Sequence, residues 1–303
     1  MLQTPEPIKY SPVLCDRSDR PVHLTMAFSL LPAGLESPVQ FVVLAALAAM
    51  IVGAAKSGFA GGIGLLSTPM MVYACRGNTS LAIGIMLPLL IACDYISIIY
   101  WRGQWELKRI RILVPGMIIG IVIGSVVLWR FGRIDGAGGM KHANATMGLA
   151  IGLIALGFAT VQWLRSRRGE LKVFRPTTGH GLIAGTAAGV TSTLAHAAGP
   201  IVTMYLLPQQ MPKNRYVATT VVYYWIGNQL KVPTYLLLGQ LDTEAMLAAA
   251  VLIPAVVAGT LLGFFLHHRV NQKSFTVVVY VLLGLMGVHL TYTSVLKLWP
   301  LGP

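Results

Sequence analysis

Between residues 39 and 295 the chain is an almost unbroken succession of apolar runs, most of them long enough to cross a bilayer, separated by short polar or basic segments. This pattern restricts the fold severely. Inside lipid, every backbone N–H and C=O must find its partner within the protein, and runs of this length and composition meet that demand as helices. The charge content agrees. Asp, Glu, Lys and Arg make up 11% of the residues, against about 25% in soluble domains. The predicted fold class is an all-α polytopic membrane protein.

Apolar length predicts spans at 39–55, 81–100, 112–129, 145–164, 216–238, 245–266 and 276–295. Three further pieces are too short or too broken for plain spans: 59–73, 181–190 and 194–207. A polar, proline-containing stretch at 1–37 lacks the basic and apolar regions of a signal peptide and is read as an N-terminal tail. The basic run "RSRRGELKVFR" at 165–175 divides the remainder. The predicted organisation is a first membrane repeat at 38–164, a cytoplasmic linker at 165–178 and a second membrane repeat at 179–303.

Internal landmarks support the division. Gly58 precedes Pro69, in "GFAGGIGLLSTP", by the same interval as Gly189 precedes Pro200, in "GVTSTLAHAAGP". "GQW" at 103 is echoed by "GQL" at 239, and Pro115, Gly120 and Gly124 match Pro254, Gly259 and Gly263 in spacing. With the basic loops 102–111 and 165–175 on the cytoplasmic side, loops 208–215 and 267–273 fall there too, while the acidic loop 239–244 falls outside. The loop 130–144, with Arg130, Arg133 and Lys141, runs against the rule. Counted with both broken segments crossing, the two halves are expected to be inverted repeats.

The net charge of +13 does not imply a nucleic-acid partner. Its lysines and arginines sit in short loops between spans rather than among stacking aromatics on a polar surface. Cys15, Cys75 and Cys93 have neither disulfide nor metal-ligand spacing. With no Walker motif in the chain, no nucleotide or other cofactor is implied. The expected partners are the lipid bilayer and a small substrate, with the chain acting as a monomer or homodimer.

Glycine- and proline-interrupted segments at matched positions of two repeats point to a transport site. A helix broken in mid-membrane exposes N–H groups that an anion can satisfy, helped by the positive end of the helix dipole. The alternative for such glycines is close helix packing. The first segment offers Lys56, Gly58, Gly61 and Gly62; the second offers Thr191, Ser192, Thr193, His196 and Gly199. Hydroxyls there also serve to cap freed carbonyls, and His196 is either a proton carrier or a packing residue. Lys231 and Asp94 are ionisable residues well inside predicted spans, so each is expected to face a partner or a cavity. Equivalent depth in the two repeats suggests that they meet, Asp94 neutralising Lys231 when the site is empty. Asn228, three residues before Lys231, shares its helix face.

Other chemistries remain open at this stage. Scattered His and Met and the single intramembrane acid Asp94 allow a divalent metal-cation transporter. Ser192 and His196, four residues apart, allow an intramembrane hydrolase, although no orienting carboxylate or GxSxG turn accompanies them. No HExxH motif and no carboxylate pair at catalytic spacing occurs either, which favours a carrier over an enzyme.

"KSGFAGG", "MLPLLIACD" and "LVPGMIIGIVIG" in the first half, with "AHAAGPIVTMYLLPQQMPKNRYVATT" and "GNQLKVPTYLLLGQL" in the second, resemble the TauE/SafE family of bacterial membrane transporters over roughly residues 39–295. The first half has "AGGIG" where the family commonly has a GxGGG run. The resemblance implies export of sulfite or an organosulfonate such as sulfoacetate across the cell inner membrane. Lys56, Gly58, Gly61, Gly62, Pro69 and Asp94 match the family's first-half pattern, and His196, Gly199, Pro200, Asn228 and Lys231 its second. A membrane potential negative inside would drive such export, with or without a coupled proton.

Overall fold

A computed structural model describes residues 38–60, 67–76, 78–134 and 176–299, together with parts of 145–164. The predicted tail, Gly61, Gly62 and the linker up to residue 175 lie outside the described residues. The described chain is helical, without strands: α1 (Pro38–Phe59), α2 (Ser67–Ala74), α3 (Thr79–Tyr100), α4 (Leu107–Ile134), α5 (Thr178–Ala195), α6 (Gly199–Leu206), α7 (Lys213–Leu237), α8 (Thr243–Arg269) and α9 (Gln272–Leu298). The described residues of the predicted span 145–164 are helical as well.

Helix starts follow local chemistry. Asn78 Oδ1 accepts from the Leu81 N–H (3.1 Å) at the head of α3, and Asp242 Oδ1 from the Ala245 N–H (2.7 Å) at the head of α8. Among the described residues, four helices are long and apolar enough to cross a membrane: Val39–Phe59, Ser80–Tyr100, Leu107–Arg130 and Thr243–Arg269. The protein is therefore a multi-pass membrane protein. Its polarity is inside-out: Ile118, Val122 and Val126 on α4 and Leu261, Leu262 and Phe265 on α8 are exposed, while Asp94, Lys231, Asn228 and Lys56 are buried. With 25 residues, α7 is long enough to span but too polar to count among the four, because it carries much of the buried polar cluster.

Two crossed helix pairs organise the molecule. α1 packs on α8 and α4 packs on α5, each pair joining one half of the chain to the other. Glycines let the backbones touch. A β-carbon on Gly53 would come within 2.5 Å of the Val256 carbonyl oxygen, and one on Gly189 within 2.5 Å of that of Met117. The same register holds along both pairs: Gly259 meets Met50 as Gly120 meets Thr186, and Gly263 meets Ala54 and Ser57 as Gly124 meets Val190 and Thr193. The landmark pairing of Gly58 with Gly189 is corrected by these contacts: Gly189 plays the part of Gly53, and Gly58 packs against Gly263.

The chain reversals repeat too. Left-handed residues fall at Ala60 (φ 54°) and His196 (φ 53°), at Arg76 (φ 54°) and Gln210 (φ 52°), and at Gly103 (φ 78°) and Gly239 (φ 67°). The first pair ends α1 and α5. In the second half the break comes later than expected. The predicted pieces 181–190 and 194–207 put it at 191–193, but those residues lie within α5, which runs to Ala195, and the interruption is confined to His196–Ala198. Thr191 and Thr193 explain this: their hydroxyls donate back to the carbonyls of Ala187 (2.9 Å) and Gly189 (2.9 Å) on the same helix, so they leave it intact.

Candidate functional site: a buried polar cavity between the two broken segments

Side chains from neighbouring helices donate to backbone carbonyls at the helix ends beside the two breaks. At the end of α1, Trp101 Nε1 donates to the Ser57 carbonyl (3.1 Å), a ring nitrogen of His267 to that of Gly58 (2.8 Å) and Tyr224 Oη to that of Ala60 (3.4 Å). At the end of α5, Tyr235 Oη donates to the Thr193 carbonyl (2.7 Å) and Lys231 Nζ to that of Ser192 (3.3 Å). These bonds tie the end of α1 to α7 and α8 and the end of α5 to α7. No side chain caps the N-terminus of α6, which begins at Gly199 and has Pro200 in its first turn.

Between the breaks lies a cavity of about 40 Å³, whose lining includes Lys56, Thr68, Ser192, His196, Gly199 and Asn228. Val52, Met86, Leu90, Ala198 and Tyr224 complete the lining. A water-sized body needs roughly 10–15 Å³ by this measure, so the space suits a group of a few heavy atoms. Thr68 Oγ1 is buried and has no hydrogen-bond partner among the described residues.

The charges around it are arranged in two clusters. Lys56 Nζ lies 2.5 Å from Asp94 Oδ1. Asn228 Nδ2 donates to Asp94 Oδ2 (2.6 Å), and the Lys56 ammonium stands 5.2 Å from the centre of the Tyr224 ring. In the second cluster, Lys231 Nζ donates to Ser192 Oγ (3.0 Å) and approaches His196 Nδ1 (3.2 Å). His196 Nε2 lies 3.1 Å from the Ile83 carbonyl oxygen. A carbonyl can only accept, so Nε2 carries the proton and Nδ1 is left to accept from Lys231, which makes His196 a neutral imidazole. Two buried lysines stand against one buried carboxylate in this region.

The arrangement differs from the expected one in its pairing. Asp94 neutralises Lys56 rather than Lys231, and Asn228 serves Asp94. Lys231, with 0% exposure, stands behind Ser192 and His196, so the lysine on the cavity wall is Lys56. Equal depth in two repeats says nothing about which way round a helix a side chain points, and the rotation of α1 brings Lys56 to Asp94. Thr191 and Thr193 turn to their own helix, and Gly58 is a packing glycine. Ser192, His196 and Gly199 do face the cavity.

Six lining residues, Val52, Thr68, Met86, Leu90, Ala198 and Tyr224, escaped the sequence reading. Thr68 precedes Pro69 as Gly199 precedes Pro200, so the repeat itself could have flagged it. Tyr224 lies one turn before Asn228 on α7, and Ala198 adjoins Gly199. Among the described residues no three His, Cys, Asp or Glu side chains come together as a metal site would require. No curated protein and no solved structure matches the chain. A family model, described as the sulfite exporter TauE/SafE, matches residues 45–290, most of the chain and both clusters. The chain belongs to the TauE/SafE family, whose members are membrane transporters of the sulfite or anion type rather than enzymes.

Proposed function

We propose that this protein is a secondary carrier that exports a small sulfur oxyanion, sulfite or an organosulfonate such as sulfoacetate, across the cell inner membrane by alternating access. One observation carries this reading: a buried cavity with the Lys56 ammonium on its wall and the uncapped N-terminus of α6 opening on it. In the bound state the anion takes its charge partner from Lys56 and hydrogen bonds from Thr68 Oγ1, Ser192 Oγ and the first N–H groups of α6. Lys231 acts as a positioning residue, holding Ser192 and His196 in place and adding a positive charge behind them. The matched contacts of α1 with α8 and of α5 with α4 support two inverted repeats that rock against each other about the cavity. Both halves of the cavity come from one chain, so a monomer suffices.

The geometry also weighs on the alternatives. A cation carrier needs free buried carboxylate, and Asp94 is engaged by Lys56 and Asn228. A hydrolase needs the basic nitrogen of His196 on the Ser192 hydroxyl, and that nitrogen faces Lys231.

The test is flux into proteoliposomes holding purified protein, with sulfite, sulfate, sulfoacetate and a divalent metal offered in turn. Saturable anion flux that Lys56→Met abolishes, in a variant with an unchanged size-exclusion profile, is the expected result. Metal flux alone, or anion flux indifferent to Lys56, would overturn the proposal.

A further inference from the structure

We propose that each anion crosses together with a proton, and that Asp94 is the residue that carries it. The inference rests on the anion-carrier reading and adds a coupling ion to it. Asp94 is fully buried, and its carboxylate is held by two groups: Lys56 Nζ at Oδ1 (2.5 Å) and Asn228 Nδ2 at Oδ2 (2.6 Å). Lys56 is also the ammonium on the cavity wall. An anion entering the cavity therefore competes with Asp94 for the same cation.

When Lys56 turns to the anion, Asp94 keeps one neutral donor, the Asn228 amide. A buried carboxylate stripped of its ion-pair partner is strongly disfavoured, and neutralisation by a proton is the available relief. The groups that face Asp94 offer no substitute. On its own helix the neighbour is the Cys93 thiol, which takes a hydrogen bond from Thr260 Oγ1 of α8 (3.4 Å). From α1 comes Lys56 itself. From α7 come Asn228, Tyr224 and Lys231, and Lys231 is held by Ser192 and His196. On α2, Thr68 lines the cavity beside Lys56 and brings a hydroxyl, not a charge. His196 is spoken for at both nitrogens, by Lys231 and the Ile83 carbonyl.

The charges balance over the cycle. The empty site holds Lys56 as a cation and Asp94 as an anion. Loaded with a monovalent anion and a proton on an Asp94 oxygen, it holds the same net charge as before. The proton comes from water on the loading side as Lys56 leaves Asp94. It returns to water on the far side when the anion departs and Lys56 swings back. Each turn moves one anion and one proton, without net charge, so the membrane potential neither drives nor opposes it.

Proteoliposomes enclosing a pH-sensitive dye and given an inward gradient of methanesulfonate or isethionate provide the test. Both are anions of strong acids and cannot themselves ferry protons through lipid as sulfite does. Wild-type protein should acidify the lumen with a proton-to-anion ratio of about one, since one carboxylate is uncovered per anion bound. The ratio should not change with an imposed potassium-diffusion potential, and an inward proton gradient should concentrate the labelled anion above its external level. In Asp94→Asn the ratio should fall to zero. The wild-type measurements stand by themselves if that variant fails to fold. Anion flux without acidification would overturn the coupling and leave the carrier reading intact. Acidification that persists in Asp94→Asn would overturn the assignment to Asp94. No flux of either anion would overturn the carrier reading for sulfonates and the coupling with it.

Discussion

Asp94 pairs with Lys56, on α1, at 2.5 Å, although Lys231 is the lysine set deeper within a predicted span. The pair is buried on both sides, so its two members depend on each other. Removing one leaves an uncompensated charge, whereas removing both leaves a gap that apolar side chains can fill.

Lys56→Met should accordingly destabilise the protein by about 3–5 kcal/mol. The double variant Lys56→Met, Asp94→Leu should recover most of that loss. Reversible unfolding in mixed detergent micelles measures both. Anion flux should be absent from both, which separates stability from function.

Lys231 should behave differently, because it stands behind the cavity wall. Lys231→Met removes charge-assisted hydrogen bonds to Ser192 and His196. Losing about 1.5–3 kcal/mol of such interaction corresponds to roughly a 10–100-fold loss of anion affinity. The measurement is the KM of flux, which should rise while transport at saturating anion persists. A Lys231 variant as inactive as Lys56→Met would place Lys231 in direct contact with the anion.

The glycines separate into two kinds. Gly103 has a φ of 78° and open space around its missing β-carbon. Gly103→Ala should therefore cost only the strain of a left-handed alanine, about 1–2 kcal/mol. Gly53 and Gly189 are hemmed in by backbone of the facing helix, which cannot step aside. Gly53→Ala and Gly189→Ala should each be more damaging than Gly103→Ala, and by similar amounts, since their contacts are matched. Thermal melts in one detergent give the order directly.

Trp101 and Tyr235 perform one task at the two breaks, donating to the carbonyls of Ser57 and Thr193. Trp101→Phe and Tyr235→Phe each leave a buried carbonyl without that donor, which costs about 1–3 kcal/mol. Hydrogen exchange should show the loosening confined to the last turn of α1 in one variant and of α5 in the other. Loosening spread evenly over the bundle in either case would contradict this assignment.

Much of this was legible in the chain alone. Apolar run length determined the helices, because lipid offers the backbone no partner outside the protein. Clustered small residues and prolines near residues 60 and 197 determined that two helices break, and the motifs around them determined the family. Only the tertiary structure decided which groups meet. The matched landmarks suggest similar depth for Asp94 and Lys231 but leave the rotation of each helix open. That rotation is set by Gly53 locking α1 to α8, which brings Lys56 to Asp94 and leaves Lys231 to Ser192 and His196. The position of the second break was decided the same way, by hydroxyls of Thr191 and Thr193 that bond within α5 instead of opening it. Helix formation is local and its signal lies along the chain. The pairing of buried charges depends on angles between helices, and those are set by contacts far apart in sequence.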